Sequence, residues 1–140
     1  MTAIRDWTLE QLEAGIEASF EHTVTAAEVD TFARLSGDHN PLHCDATYGR
    51  AAGFRDRVAH GLLLGALISR LVGMELPGRR SFLLSVRLDF VAPTCPGDTL
   101  SVRGRVESVH LEQRTVAIRV SITCGEETRL RGSALVRVSP

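Results

Sequence analysis

The chain has 140 residues, 16 basic and 17 acidic side chains, a formal net charge of −1 and an ordinary 44% apolar content, which suits one domain with a proper core. The balanced charge gives no footprint for nucleic acid or an acidic membrane surface. Three cysteines, odd in number and without C-x-x-C spacing, indicate neither a zinc knuckle nor a disulfide framework.

The first residues, Met1-Thr2-Ala3-Ile4-Arg5-Asp6-Trp7, lack the basic start and apolar stretch of a signal peptide. Reduced thiols in the cytoplasm are therefore expected. Ile16 to Val24 suits a first strand. Thr25-Ala26-Ala27-Glu28 is a capping box, with Thr and Glu three apart at a helix start. The helix should run to about Leu35, with Val29, Phe32, Ala33 and Leu35 on its apolar side, and end at Gly37. Asp45 is placed to cap a short helix through Tyr48 and Ala51.

His60-Gly61 opens the most hydrophobic helix. Leu62, Leu63, Leu64, Ala66, Leu67, Ile68, Leu71 and Val72 cover nearly all its faces, the pattern of a buried helix. Its apolar run is too short to span a membrane. Gly73 and Pro77-Gly78 end it. After Arg80 the period becomes alternating. Leu84, Val86, Leu88 and Phe90 share one face of a strand; Leu100, Val102, Gly104 and Val106 do so on the next. Val116, Ile118, Val120 and Ile122 mark a third strand, and Leu130, Gly132, Ala134, Val136 and Val138 a fourth. The opposite faces carry Arg87, Arg103, Arg105 and Arg119, as in an antiparallel sheet with one buried side. The pattern gives an α+β class and a single domain over residues 1–140, with no linker or repeat.

One short run carries the chemistry: Ser36-Gly37-Asp38-His39-Asn40-Pro41-Leu42-His43. On one regular helix Asp38 and His43 would lie ~140° apart. They converge only if the chain turns sharply, and Gly37, Asn40 and Pro41 are turn-forming residues. A carboxylate and an imidazole held together make a general acid/base pair able to orient a water. Taken alone, Asp38 reads first as a loop cap, and the whole run is what favours the acid/base reading. All 16 basic residues are Arg, which excludes Schiff-base chemistry at a lysine. Cys44 adjoins His43, but consecutive side chains diverge, which argues against a Cys–His nucleophile. His39 and His43 would need an invented third ligand to hold a metal.

Phe32-Ala33-Arg34-Leu35 followed by Ser36 to His43 resembles the signature of the MaoC-like, (R)-specific enoyl-CoA hydratases of the hydratase 2 type. Ala52-Gly53-Phe54 with Val58-Ala59-His60-Gly61-Leu62-Leu63 is similar to the second block of that family. Pro93 with Pro96-Gly97-Asp98-Thr99-Leu100 is similar to its third. The resemblance covers about Val24 to Val138.

It implies a hot-dog fold, a central buried helix wrapped by an antiparallel sheet, and a homodimer joined edge to edge. Unpaired strand edges supply an independent motive for such a dimer. It implies a trans-2-enoyl thioester substrate, on coenzyme A or an acyl carrier protein. Asp38 and His43 would activate the water, and the Gly61 N–H would receive the developing thioester oxyanion. For Gly61, the start of a helix suits negative charge, although a helix-entry glycine is its plain structural reading.

Asn40 is a candidate for orienting the loop or water. Ser69 and Val72 are candidates for the acyl pocket, with core packing the competing role for Val72. His60 reads as a structural histidine, and Arg50, Arg55 and Arg57 as candidate phosphate contacts. No cofactor or metal is implied. Two departures stand out: Gly49 where the family commonly has Ala or Ser, and Ser85-Val86 where some short-chain hydratases carry Gly-Gln. They leave a carrier-protein dehydratase as the alternative activity. A hot-dog thioesterase would not explain Asp38 paired with His43, and a noncatalytic partner subunit would be expected to lack one of them.

Overall fold

The computed structural model describes residues 2–140. In chain order the elements are β1 (Glu17–Thr23), α1 (Ala26–Ser36), α2 (Pro41–Cys44), α3 (Ala46–Ala51), α4 (Gly61–Arg70), β2 (Ser81–Phe90), β3 (Thr99–His110), β4 (Thr115–Cys124) and β5 (Glu127–Val138). A single 3-10 turn at Leu9–Gln11 precedes β1, and a π-helical turn, Leu71–Glu75, extends α4.

The strands form one antiparallel sheet in the order β1-β3-β4-β5-β2. Alternation decides which side of it is apolar. Val102 and Val106 on β3, Val116, Ile118, Val120 and Ile122 on β4, and Leu130, Ala134, Val136 and Val138 on β5 are all buried. Leu64, Leu67 and Ile68 of α4, with Leu71 and Val72 of the following turn, join them in one core. Each such aliphatic side chain contributes about 1.5–3 kcal/mol by leaving water. Gly104 lies where the π-turn presses on the sheet. A Cβ there would come within 2.8 Å of the Leu71 side chain, so a larger residue would have to displace Leu71 for the two to approach. A central helix against a five-stranded antiparallel sheet is the hot-dog arrangement expected from the sequence.

Three expectations need correction. The apolar face of β2 is not buried: Leu84, Val86 and Phe90 are all exposed, Phe90 to 52%. β2 is an edge strand with no neighbour beyond it in this chain. A register shift between Leu83 and Ser85 also breaks its alternation. The central helix is not covered all round either. Leu64, Leu67 and Ile68 are buried, but Leu62 is 65% exposed and Ala66 and Ser69 share its open side. On α1, Val29 and Ala33 are buried whereas Leu35 is 82% exposed. Leu35 lies six residues past Val29, which turns it well away from the core-facing stripe. No helix among the described residues is long and apolar enough to cross a membrane.

Candidate active site

The site is built on the connection between α1 and α4. The Thr25 side chain accepts the Glu28 N–H, and Glu28 reaches back to the Thr25 N–H, the capping box read from the sequence. At its other end α1 stops because Gly37 adopts a left-handed φ of 77° and donates its N–H to the Ala33 carbonyl. The Ser36 hydroxyl donates to the Phe32 carbonyl and accepts the Asp38 N–H at 3.1 Å. The Asn40 N–H then donates to Asp38 Oδ1 at 3.2 Å. Two local bonds thus fix Asp38 directly after the helix.

His43 is carried by α2. Pro41 occupies the first turn of that helix, where its missing N–H costs nothing. Asn40 caps it, its side-chain oxygen accepting the Leu42 N–H at 3.0 Å. Asn40 therefore orients the loop from both its backbone and its side chain. Asp45 caps α3 as expected, accepting from the Thr47 and Tyr48 N–H groups.

The two catalytic candidates meet. Asp38 Oδ2 lies 3.7 Å from His43 Nε2, too far for a direct hydrogen bond. His43 Nδ1 lies 2.6 Å from the Val58 carbonyl oxygen. A carbonyl only accepts, so Nδ1 carries a proton, and in the neutral ring Nε2 presents the lone pair. Asp38 and His43 are thus two acceptors facing one another. A water with two O–H donors fits between them.

A cavity of about 430 Å³ opens beside His43. Its walls include Phe54, Val58, Leu64, Phe90 and Pro93, and Gly61 lines it as well. Gly61 is the first residue of α4, so its N–H has no acceptor within the helix. A Cβ on Gly61 would stand 3.0 Å from the Phe90 ring. His43 and Gly61 both border this cavity, and Asp38 faces His43 without lining it. Ser69 and Val72 lie elsewhere: Ser69 lies on the open side of α4 and Val72 in the core, and neither borders this cavity.

Of the three arginines considered for phosphates, two are engaged inside the chain. Arg57 donates to Asp30 Oδ1 and to the His43 and Ala26 carbonyls, tying α1 to α2. Arg55 donates to Asp98 Oδ1 at 2.6 Å. Arg50 is exposed.

Sequence reasoning missed the second charged centre. Asp98, in the Pro-Gly-Asp turn, is buried with Arg129. Asp98 Oδ2 accepts from Arg129 at 2.7 Å and from the Cys95 N–H at 3.0 Å. Arg129 also donates to the Pro93 carbonyl, so this network holds the segment that supplies one cavity wall. Burial pushes the Asp98 carboxyl up. The Cys95 N–H, Arg55 and Arg129 together outweigh it and hold the group below its ordinary 3.8. No periodicity signal reveals it, because the buried Arg129 precedes the core residue Leu130 on β5 and breaks the alternation.

His60 was also undervalued. Its ring stacks on that of His43 with centroids 3.9 Å apart and 24° between planes. Asp38, His43 and His60 place ligand-capable atoms within 4.8 Å of one another. Stacked imidazoles keep their in-plane lone pairs in two nearly parallel planes, a poor arrangement for converging on one ion.

The reason for Gly49 is now visible. A Cβ there would lie 2.5 Å from the Asp56 carbonyl oxygen and 2.9 Å from Arg57 Cα. The backbone that leads to Val58 runs directly over α3, and only glycine admits it.

Comparison with known proteins identifies the family and the fold. A family model described as the MaoC like domain matches residues 9–127. The 3-hydroxybutyryl-CoA dehydratase of Methylorubrum extorquens is 34% identical over 129 residues, 92% of this chain and 82% of that protein. The (R)-specific enoyl-CoA hydratase of Aeromonas caviae is 34% identical over 130 residues, 92% of this chain and 97% of that protein. The solved structure of an A. caviae (R)-hydratase involved in PHA biosynthesis superposes with a TM-score of 0.88, covering 92% of this chain and 98% of its own. An unliganded R-hydratase of Pseudomonas aeruginosa gives 0.90 at 31% identity, covering 97% and 88%. A shared signature, a shared fold and a match over most of the sequence place this chain in the MaoC-like domain family.

Proposed function

We propose that this chain is a hydro-lyase that adds water to a trans-2-enoyl-CoA thioester to give the (3R)-hydroxyacyl product, and runs the reverse dehydration with the same groups. The observation that carries the reading is the facing pair of acceptors, Asp38 Oδ2 and His43 Nε2, 3.7 Å apart beside an apolar cavity. A water bridging them donates one hydrogen to each. As its oxygen bonds to C3, one O–H breaks and the pair takes the proton. The electron pair of the C2–C3 double bond moves to C2 and onto the thioester oxygen as an enolate. The Gly61 N–H, reinforced by the start of α4, stabilises that charge. Collapse of the enolate takes a proton at C2 from the pair, and the water is fully accounted for. Names of relatives that act on coenzyme A thioesters support the substrate class.

The working unit in this reading is a homodimer joined along β2. Support comes from that edge, where Phe82, Leu83, Leu84, Val86 and Phe90 are exposed together, an edge that soluble chains ordinarily cover. α4 runs close beside β2 here, where a Cβ on Gly65 would stand 3.3 Å from the Leu88 side chain. The three cysteines, all free, suit a reducing cytoplasm.

The test is loss of the conjugated-thioester absorbance when the protein meets crotonyl-CoA and longer enoyl-CoAs, with thiol release followed in parallel. Loss of the enoyl signal without free thiol, and a (3R) product on chiral analysis, supports hydration. Thiol release would move the chain to the thioesterases. No change on any coenzyme A substrate, with turnover of the pantetheinylated carrier form, would replace the substrate class with carrier-bound acyl groups. Sedimentation at micromolar protein tests the dimer.

A further inference from the structure

We propose that His60 is a positioning residue that holds the catalytic pair in register, an inference that rests on the Asp38–His43 reading above. Three contacts converge on this one side chain. Its Nε2 lies 3.0 Å from the Asp38 carbonyl oxygen. Its ring face covers the His43 imidazole at 3.9 Å. Its backbone caps α4 immediately before Gly61. It therefore touches the loop that carries the carboxylate, the base itself and the helix start that carries the oxyanion donor. Phe32 of α1 closes on the same ring at 4.9 Å, tilted by 52°.

The tautomer follows from the contacts. The Asp38 carbonyl can only accept, so Nε2 carries the hydrogen and Nδ1 is a bare lone pair. That Nδ1 is buried without a partner among the described residues, in a residue 3% exposed. An unmatched buried polar atom is costly. A phenylalanine or leucine would fill the space without it. What the imidazole adds is the one donor that reaches the Asp38 loop from across the chain. No side chain otherwise bonds Asp38 to His43 directly, since 3.7 Å separates them. Their spacing is set by what holds each, and His60 is the only side chain contacting both among the aromatic contacts and hydrogen bonds of the described residues. Misplacement by about 1 Å can cost on the order of 10²-fold in rate.

The experiment compares His60→Phe, which keeps a ring for stacking and loses the donor, with His60→Gln, whose amide N–H reaches the position of Nε2. The expected result is a drop in kcat of roughly 10- to 100-fold for His60→Phe with KM nearly unchanged, and recovery of most of that loss in His60→Gln. Equal kcat in the two variants, or a loss confined to thermal stability with kcat per folded site intact, overturns the proposal. Should His60→Phe fail to fold, 15N spectra of the unaltered protein still decide. A protonated, hydrogen-bonded Nε2 and a bare Nδ1 on His60 at the assay pH support the assignment, and a proton on Nδ1 overturns it. Asp38→Asn run alongside separates the two claims. If it is inactive while His60→Phe is fully active, only the positioning role fails. If Asp38→Asn is itself fully active, both fail.

Discussion

The sheet and the α1–α4 connection are held by different physics. The strands β3, β4 and β5 are tied by long antiparallel ladders and a continuous apolar face, in which many similar contacts share the work. The connection has little regular structure and few buried apolar residues. It is held by individual polar bonds: Ser36 to Asp38, Asn40 to Asp38, His43 to Val58, Arg57 to Asp30 and His60 to Asp38. A ladder spreads damage over many neighbours, whereas a single bond at a reacting group has no substitute. Losses should therefore fall on stability in the sheet and on rate in the connection.

The sharpest way to break this contrast is to alter the reacting groups. Asp38→Asn and His43→Ala should each lower kcat by roughly 10²–10⁴-fold with the melting temperature nearly unchanged. Near-normal turnover in both, read by the enoyl absorbance, would remove the basis of the mechanism. Asp98 belongs to neither class, being a buried ion joining the two regions. Asp98→Asn leaves Arg129 with only the exposed Glu127, 2.6 Å from its Nε, as counter-charge and should cost up to about 3–5 kcal/mol in chemical denaturation. Because its folded value lies below 3.8, Asp98 stabilises the native state above that pH. Its contribution drains as pH falls through the lower folded value, so acid unfolding should flatten in the variant.

Within the sheet, Ile118→Ala should cost about 2–5 kcal/mol, with kcat unchanged below the transition. Ile118 is fully buried, paired across the sheet with Val106 and beside Gly104. An equal fall in kcat at low temperature would contradict the separation. The smallest expected effect is Gly49→Ala. The added methyl must displace the Asp56–Arg57 backbone and should cost about 1–3 kcal/mol. Its mark should be on rate, since the displaced backbone leads to the Val58 carbonyl that sets the His43 tautomer.

The same contrast explains what was legible in the sequence. The strands were readable because alternation is a repeated signal, and β3, β4 and, from Leu130 onward, β5 follow it. The turn that brings Asp38 to His43 was readable because Gly37, Asn40 and Pro41 act through local turn chemistry. β2 misled because periodicity reports which residues are apolar, not whether this chain covers them. Leu62 and Leu35 misled for a similar reason. His60, Asp98 and Gly49 were under-read because their roles depend on groups 22, 31 and 7 positions away in sequence, respectively Asp38, Arg129 and Asp56.

The hydrogen bond from His60 to the Asp38 carbonyl has a consequence for how such enzymes diversify. It joins the last residue before α4 to the second residue after α1, closing the connection into a ring. The Asp38 carboxylate, the His43 imidazole and the Gly61 amide all lie within or at the ends of that ring. Exchanged between homologous chains as one block, the segment would carry its internal spacing and its own walls Phe54 and Val58 with it, while the receiving chain supplied the remaining walls at Leu64, Phe90 and Pro93. A library that shuffles blocks at Gly37 and Gly61 would keep the spacing of the loop groups while sampling the part of the cavity built by α4 and β2.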